Sequence, residues 1–403
     1  MKILMVSSYL PYPLFSGGHI RLYNLIKHLS KRHKITLVCE KREYQKERDI
    51  KEVGKFCEKV VTFNREKQWS FENIIKTGFS ALPFLVVGHT ISAMKRKLQE
   101  LLRKEHFDLI HVETSYVYQN IPETQLPIIL VEHNIEYLVY KRFAENAPLP
   151  LKPFLYIDIL KLRYWEEKTW KKATRLVAVS EIEKKIMDKK RKAVKVVPNG
   201  VDTEKYKVSS IKYKVSRKEK IILFIGDFRW VQNKDAAIWI LKEIWPKINL
   251  KFRIKNLKLW LWIVGREIPE NIKSLGGENV LFDENAPIDT SLIYKKADVL
   301  LAPIRVGGGT SFKILEAMAS GVLVITTSLG NEGIDARDRE EILIAGGSYD
   351  FGQKVIDILE NEEEYERIVN KARKFIEKKY DWRIVVSKLE GVYESVMVFK
   401  NKL

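Results

Sequence analysis

The chain has 403 residues and two cysteines, Cys39 and Cys57, neither in a Cys-x-x-Cys pair nor in a Cys/His cluster. A disulfide-stapled secreted framework and a structural zinc module are both excluded on that count. No apolar run reaches the ~18 residues that would span a bilayer. The opening MKILMVSSYL has a lysine and a short apolar run, as a signal peptide does. That run is cut at Pro11 and Pro13 and no small-residue cleavage site follows, so it reads as the buried first strand of a cytoplasmic protein. Short-period repeats and low-complexity tracts are missing. The phosphate-loop pattern GxxxxGK[ST] is also missing. A GxGxxG fingerprint begun at Gly307 would place its third glycine at Phe312, which argues against NAD.

Acids are the scarcer charge, 52 against 71 Lys plus Arg, for a net charge of +19. Residues 1–200 hold 37 bases and 22 acids, while 201–403 hold 34 and 30. A one-sided excess points to an anionic partner: lipid headgroups, nucleic acid or a phosphorylated substrate. A Lys/Glu-rich surface style explains the total but not the asymmetry. Hydrophobic residues make up 45% of the chain, enough for a large core and against wholesale disorder. The length suits two domains.

Apolar runs at 2–6 (KILMV) and 35–39 (ITLVC) read as buried strands around a helix at His19–Leu29, with further strands near 60–63, 109–112, 128–132 and 176–179. A second series follows the Pro198-Asn199-Gly200 turn, at 221–225, 259–264, 280–282, 299–302 and 322–326. Helical patterns alternate with both, notably 91–104 and 156–172. The expectation is an α/β fold of two Rossmann-like domains, 1–200 and 201–380. A final helix at 381–403 carries apolar positions Trp382, Val385, Val386, Leu389, Val392, Tyr393 and Val396 at 3/4 spacing, which need a surface to cover.

Ligands of such sheets sit at strand carboxyl ends. The richest loop there is Arg305-Val-Gly307-Gly308-Gly309-Thr310-Ser311-Phe-Lys313-Ile-Leu-Glu316. Glycines admit a ligand to the backbone, and the free N–H groups of the helix start attract phosphate. Glu316 is placed to accept two hydroxyl hydrogen bonds, as from a ribose. A second loop, Gly226 to Lys234, puts Arg229 and Lys234 within reach of one phosphate pair. In the first half, Gly17 and Gly18 precede a helix, and His133 ends the strand IILV.

These segments together resemble the retaining glycosyltransferases of family 4, a GT-B fold of two facing Rossmann-like domains. The likeness is carried by KILMVSSYLPYPLFSGGHIRLYNLIKHL, His133, AVSE at 178–181, VVPNGVDTEKY, FIGDFRWVQNKDAAIWILKEIWPKI, LWIVG, ADVLLAPIRVGGGTSFKILEAMASGVLVITT and YDWRIVVSKLEGVYESV. The second half is similar to the branch of bacterial exopolysaccharide (PEP-CTERM-type) sugar transferases. One departure stands out: the family carries two glutamates eight apart, and Gly308 stands where the first would be, with Glu316 at the second.

The resemblance implies a metal-independent, retaining transfer from a nucleotide-sugar donor, such as a UDP- or GDP-sugar, to a glycan, lipid-linked or small-molecule acceptor, with no separate cofactor. His133, Arg229 and Lys234 would be catalytic. Gly17, Gly18, Arg305, Gly307, Gly308, Gly309, Thr310, Ser311, Lys313 and Glu316 would bind the donor. The closing helix would cross back to the first domain. Two apolar, Lys-flanked stretches, 69–87 (followed by Lys95-Arg96-Lys97) and 150–172, suit either helix packing or an anionic membrane surface. An epimerase-like nucleotide-sugar enzyme without transfer is the alternative. A nucleic-acid-binding protein is a further one, though no reader motif is found and no nucleic acid is expected.

Overall fold

The computed structural model describes all residues other than 66, 146, 192, 208–218, 255–257, 286, 288, 307–308 and 401–403. The chain divides into two compact units, Met1–Pro198 with Val386–Leu403, and Asn199–Val385.

The first unit holds strands β1 (Lys2–Ser7), β2 (Lys34–Lys41), β3 (Lys59–Asn64), β4 (Leu109–Glu113), β5 (Ile128–Glu132), β6 (Arg175–Ala178) and β7 (Lys195–Val196). They form one parallel sheet in the order β3-β2-β1-β4-β5-β6-β7. Its helices include α1 (Gly17–Leu29), α2 (Phe71–Phe79), α3 (Ser92–Lys104), α4 (Glu136–Glu145) and α5 (Lys152–Lys172). The second unit holds β8 (Glu219–Ile225), β9 (Lys258–Val264), β10 (Val280–Asp283), β11 (Val299–Ala302), β12 (Leu323–Thr326) and β13 (Leu343–Ile344), parallel in the order β10-β9-β8-β11-β12-β13. Helices α6 (Val231–Trp239), α7 (Phe312–Ala319) and α8 (Glu362–Lys379) belong to it. The last helix, α9 (Trp382–Lys400), begins in the second unit, and from Val386 onward it belongs to the first.

Both sheets show the Rossmann order, reversing direction of growth between β1 and β4 and again between β8 and β11. Those reversals leave crevices at the strand carboxyl ends. Near-continuous Val, Ile and Leu runs are what a parallel sheet covered on both faces requires. In β8, Ile222 and Phe224 enter one core cluster while Leu223 between them enters another, the period-two alternation of a pleated strand.

Helix α1 starts with Ser16 as N-cap, its hydroxyl accepting from the His19 N–H. It buries Leu22, Leu25, Ile26 and Leu29, the 3/4 face expected from the sequence. Arg21 on the same helix is buried and donates to the Val197 and Pro198 carbonyls at 3.0 and 2.7 Å, tying α1 to the end of the unit's last strand.

Candidate functional site

In the second unit the reversal between β8 and β11 places two loops side by side. The β8 strand ends at Ile225, and Gly226 to Trp230 lead into α6. Gly226 is required by close approach: a Cβ there would lie 2.6 Å from Cγ of Asn233. Asn233 is buried, donates from Nδ2 to the Asp227 carbonyl at 2.8 Å and accepts from Lys313 Nζ at 2.8 Å through Oδ1. That amide joins the two loops.

Lys313, in the first turn of α7, also lies over the Phe224 ring, 5.0 Å from its centroid. Burial pulls its pKa down to about 8, against the opposing pull of Glu316. Among the described residues the ammonium of Lys234 has no partner, and its side chain starts one residue beyond Asn233. Arg229 is folded back on its neighbour: its guanidinium donates to both Asp227 carboxylate oxygens, with Nε at 2.9 and 3.1 Å. Arg305 makes a two-pronged pair with Asp235 at 3.1 and 2.7 Å and stacks 4.4 Å above the Trp239 ring. Both arginines are thus positioned by carboxylates, where the sequence alone shows only loop cations.

At the mouth of α7, Gly309 has φ of 80°, a left-handed conformation natural to glycine. Thr310 is buried and donates to the Gly333 carbonyl at 3.3 Å. Ser311 is the N-cap residue, and its hydroxyl makes no capping bond. Gly307 and Gly308, expected to contact the donor, lie outside the described residues. Glu316 sits one turn into α7, half-buried, and accepts from the Thr290 hydroxyl at 3.4 Å. Burial raises its carboxyl above the ordinary value, and hydrogen bonds from Tyr206, Tyr294 and Thr290 with the charge of Lys205 offset only part of that rise. The loops therefore combine cations at a helix start with a carboxylate one turn deeper. Such an arrangement is suited to a diphosphate and a diol.

In the first unit the reversal between β1 and β4 lies beside Glu113, which is paired in register with Ser7. Glu113 is fully buried. One oxygen bonds His111 Nε2 at 2.8 Å and the other bonds Nε2 of His133. Burial alone would raise the Glu113 carboxyl, but the two imidazoles outweigh it and hold it well below the usual range. An ionised carboxylate only accepts, so both Nε2 atoms carry protons, and Nδ1 of a neutral His133 is left as an acceptor. That atom faces the start of α1, where a Cβ added at Gly18 would stand 3.7 Å from it and 3.0 Å from the Tyr9 hydroxyl. Gly17 opens the same helix. Thr114, next after Glu113, has φ of 78°, a costly region for a β-branched residue, at about 1–3 kcal/mol.

His133, Gly17 and Gly18 thus group in one unit, and Lys234, Lys313, Glu316, Thr310, Ser311 and Gly309 in the other. Asn233, His111, Glu113, Tyr206 and Thr290 join these sites through the fold, and no sequence motif marks them. The one signal for Asn233 is Gly226, a glycine that no turn geometry requires.

Residues 15–205 match the family model described as Glycosyltransferase Family 4, and residues 219–361 the one described as Glycosyl transferases group 1. An uncharacterized 44.6 kDa protein in the cps region of Klebsiella pneumoniae is 24% identical over 402 residues, covering 96% of this chain and 98% of that one. A phosphatidyl-myo-inositol mannosyltransferase of Mycobacterium leprae is 26% identical over 249 residues, 60% of this chain and 63% of its own length. The crystal structure of Anabaena HepE in complex with UDP and glucose superposes with a TM-score of 0.63 at 14% identity, covering 98% of this chain and 100% of that one. This likeness, over both sheets, gives the fold as GT-B.

Proposed function

We propose that this chain, a glycosyltransferase similar to family 4 in its first unit and to group 1 in its second, transfers a sugar from a nucleotide-sugar donor to a glycan or lipid-linked acceptor with retention of anomeric configuration. The observation that carries the reading is Lys313 held by Asn233 at 2.8 Å, beside Lys234 and one turn before Glu316, at the reversal of a Rossmann sheet.

In this reading the diphosphate lies at the start of α7. Lys313 and Lys234 lie beside it, with N–H groups from Gly309 to Ser311; Arg229 joins them by leaving Asp227, and Arg305 is fixed at the rim by Asp235. Glu316 takes the ribose hydroxyls. The bond from the anomeric carbon to the diphosphate oxygen breaks, the acceptor oxygen bonds to that carbon on the same face, and the acceptor's proton passes to the departing phosphate. Fixed cations stabilise the charge that collects on the leaving group, without a divalent ion; one such donor is worth about 2.7–4 kcal/mol of barrier. Within the first unit, His133 Nδ1 is placed to accept from a sugar hydroxyl, and Gly17 and Gly18 leave room beside it.

The UDP and glucose bound by HepE favour a UDP-sugar, with a GDP-sugar as the other candidate. The mannosyltransferase relative acts on a phosphatidylinositol, which favours a lipid-linked acceptor met at an anionic membrane surface. The cps-region relative favours a role in surface polysaccharide. No helix among the described residues is long and apolar enough to cross a membrane, so the contact would be peripheral.

The test is product analysis: labelled UDP- and GDP-sugars are incubated with the enzyme and a lipid extract, and the product's anomeric configuration is read by NMR. Transfer with retention supports the reading. Epimerised donor with no transfer, or an inverted linkage, contradicts it.

A further inference from the structure

Helix α2 is turned inside out. Its buried side chain is Asn73, 6% exposed, while Phe71 is 80% and Phe79 92% exposed, with Ile74 and Ile75 also facing solvent. A surface helix in water has the opposite arrangement. Hydrogen bonds pin it this way round. Asn73 Nδ2 donates to the Lys67 and Gln68 carbonyls at 3.3 and 3.1 Å, its N–H is capped by Ser70, and the Thr77 hydroxyl bonds the Asn73 carbonyl at 2.7 Å.

Helix α5, beside it, is apolar on two opposite faces. Ile159, Leu162 and Trp170 are buried, whereas Phe154, Ile157, Leu160 and Tyr164 are 73%, 56%, 65% and 64% exposed. At 100° per residue these exposed four share one stripe, opposite the buried one. The helices are tied together: Lys161 Nζ donates to the Thr77 and Ser80 carbonyls at 2.7 and 2.9 Å, and the Asp158 carboxylate accepts from the Phe84 N–H at 2.8 Å. An exposed apolar face of this extent marks an interaction surface.

Charge selects the occupant. Residues 139–172 hold eight Lys and Arg against four Asp and Glu. Glu166 is buried, Asp158 is bound to backbone, and Glu167 is paired with Arg163 and Lys190. Among the cations, Lys168 lies over the Tyr164 ring, 5.8 Å from its centroid, at the border of the apolar stripe. Aromatic and aliphatic anchors bordered by cations on long stems match an anionic headgroup layer over acyl chains.

We propose that the α2/α5 face is a membrane-docking surface for anionic phospholipid, with Phe71, Phe79 and Phe154 seated at the headgroup–acyl boundary. The proposal deepens the lipid-linked acceptor reading, which supplies its purpose, but its geometry is independent of it.

The full chain is spun with vesicles of phosphatidylcholine alone and of phosphatidylcholine with 30% phosphatidylglycerol. The same preparations are titrated with UDP- and GDP-sugars. The expected result is binding to the anionic vesicles at least tenfold stronger than to the neutral ones, weakened by salt. The changes Phe79→Ser with Phe154→Ser, at two largely exposed side chains, should lower it at least tenfold and leave melting temperature and donor affinity unchanged. Vesicle binding that the double variant retains would overturn the proposal. So would a wild type that ignores both vesicles and forms a dimer the variant dissolves, since that makes a second copy the occupant. Failure of donor binding in the wild type would contradict the transferase reading alone.

Discussion

The Tyr393 hydroxyl donates to His111 Nδ1 at 2.6 Å, joining the last helix of the chain to the middle of strand β4. Because Nε2 of His111 is committed to Glu113, Nδ1 must accept, and the tyrosine fixes the tautomer. The relay continues through Glu113 to His133. All four groups therefore hold one another in orientation, and His133 is aimed from within the sheet.

Tyr393→Phe is expected to cost about 0.5–1.5 kcal/mol, one net hydrogen bond. Glu113→Gln should cost more, about 3–5 kcal/mol, because a buried charged network loses one partner. If kcat falls in Tyr393→Phe with donor KM unchanged, positioning of His133 is supported. A melting shift with unaltered kinetics would reduce the relay to packing.

Acid should weaken this network. Glu113 is held below its unfolded value near 4.5, so its stabilisation is complete above that value and is lost as pH falls through the lower native one. Glu113→Gln should flatten the acid limb of stability as pH falls below the unfolded value near 4.5. An acid limb identical to wild type would assign the loss to other carboxylates.

Alkali should weaken a second cluster. Glu132 and Glu166 are buried; Glu132 accepts from Trp170 Nε1 at 2.9 Å, and Glu166 from the Glu136 and Tyr137 N–H groups. Burial raises both carboxyls; the nearby Glu136 adds to the rise at Glu132, and Glu132 and Glu136 add to it at Glu166. A raised native value means stability present below the unfolded value near 4.5 and lost as pH climbs through the native one. Thermal melts from pH 5 to 9 should show a declining midpoint, less steep in Glu132→Gln. A flat wild-type profile would contradict this.

Donor use should also fall at high pH. Lys313 loses its proton near pH 8 in the free enzyme, so kcat/KM for the donor is expected to drop above that value. Lys313→Arg, always charged, should push the limb upward. Lys234→Ala and Arg229→Ala should each lower kcat, by about 10²-fold, more than they raise KM, since their charge matters most as the diphosphate departs. An effect confined to KM would assign them to ground-state binding.

The two sheets were legible because parallel strands buried on both faces are written as short Val/Ile/Leu runs, and the reversals between them carry glycine-rich loops. Lys313, Glu316 and His133 could be named for the same reason: each follows a strand end. What stayed hidden was long-range. Nothing local in IHVE marks Glu113 as the partner of His133, and Tyr393 lies 282 residues from His111. The apolar stretch around Phe71–Phe79 was visible, but its composition cannot say that Asn73 turns inward and the phenylalanines outward. Likewise Arg305 reads as a loop cation, and only the fold brings Asp235, 70 residues away in sequence, against it.

The central claim, a nucleotide-sugar site built on α7 of the second unit, is tested most directly by calorimetric titration of UDP- and GDP-sugars into the wild type and Glu316→Gln. The account predicts saturable one-to-one binding of at least one donor. Its affinity should weaken about 10- to 100-fold in the variant, because a neutral amide accepts less strongly from ribose hydroxyls than a carboxylate does. Equal affinity in the two proteins, or no nucleotide-sugar binding in either, would contradict it.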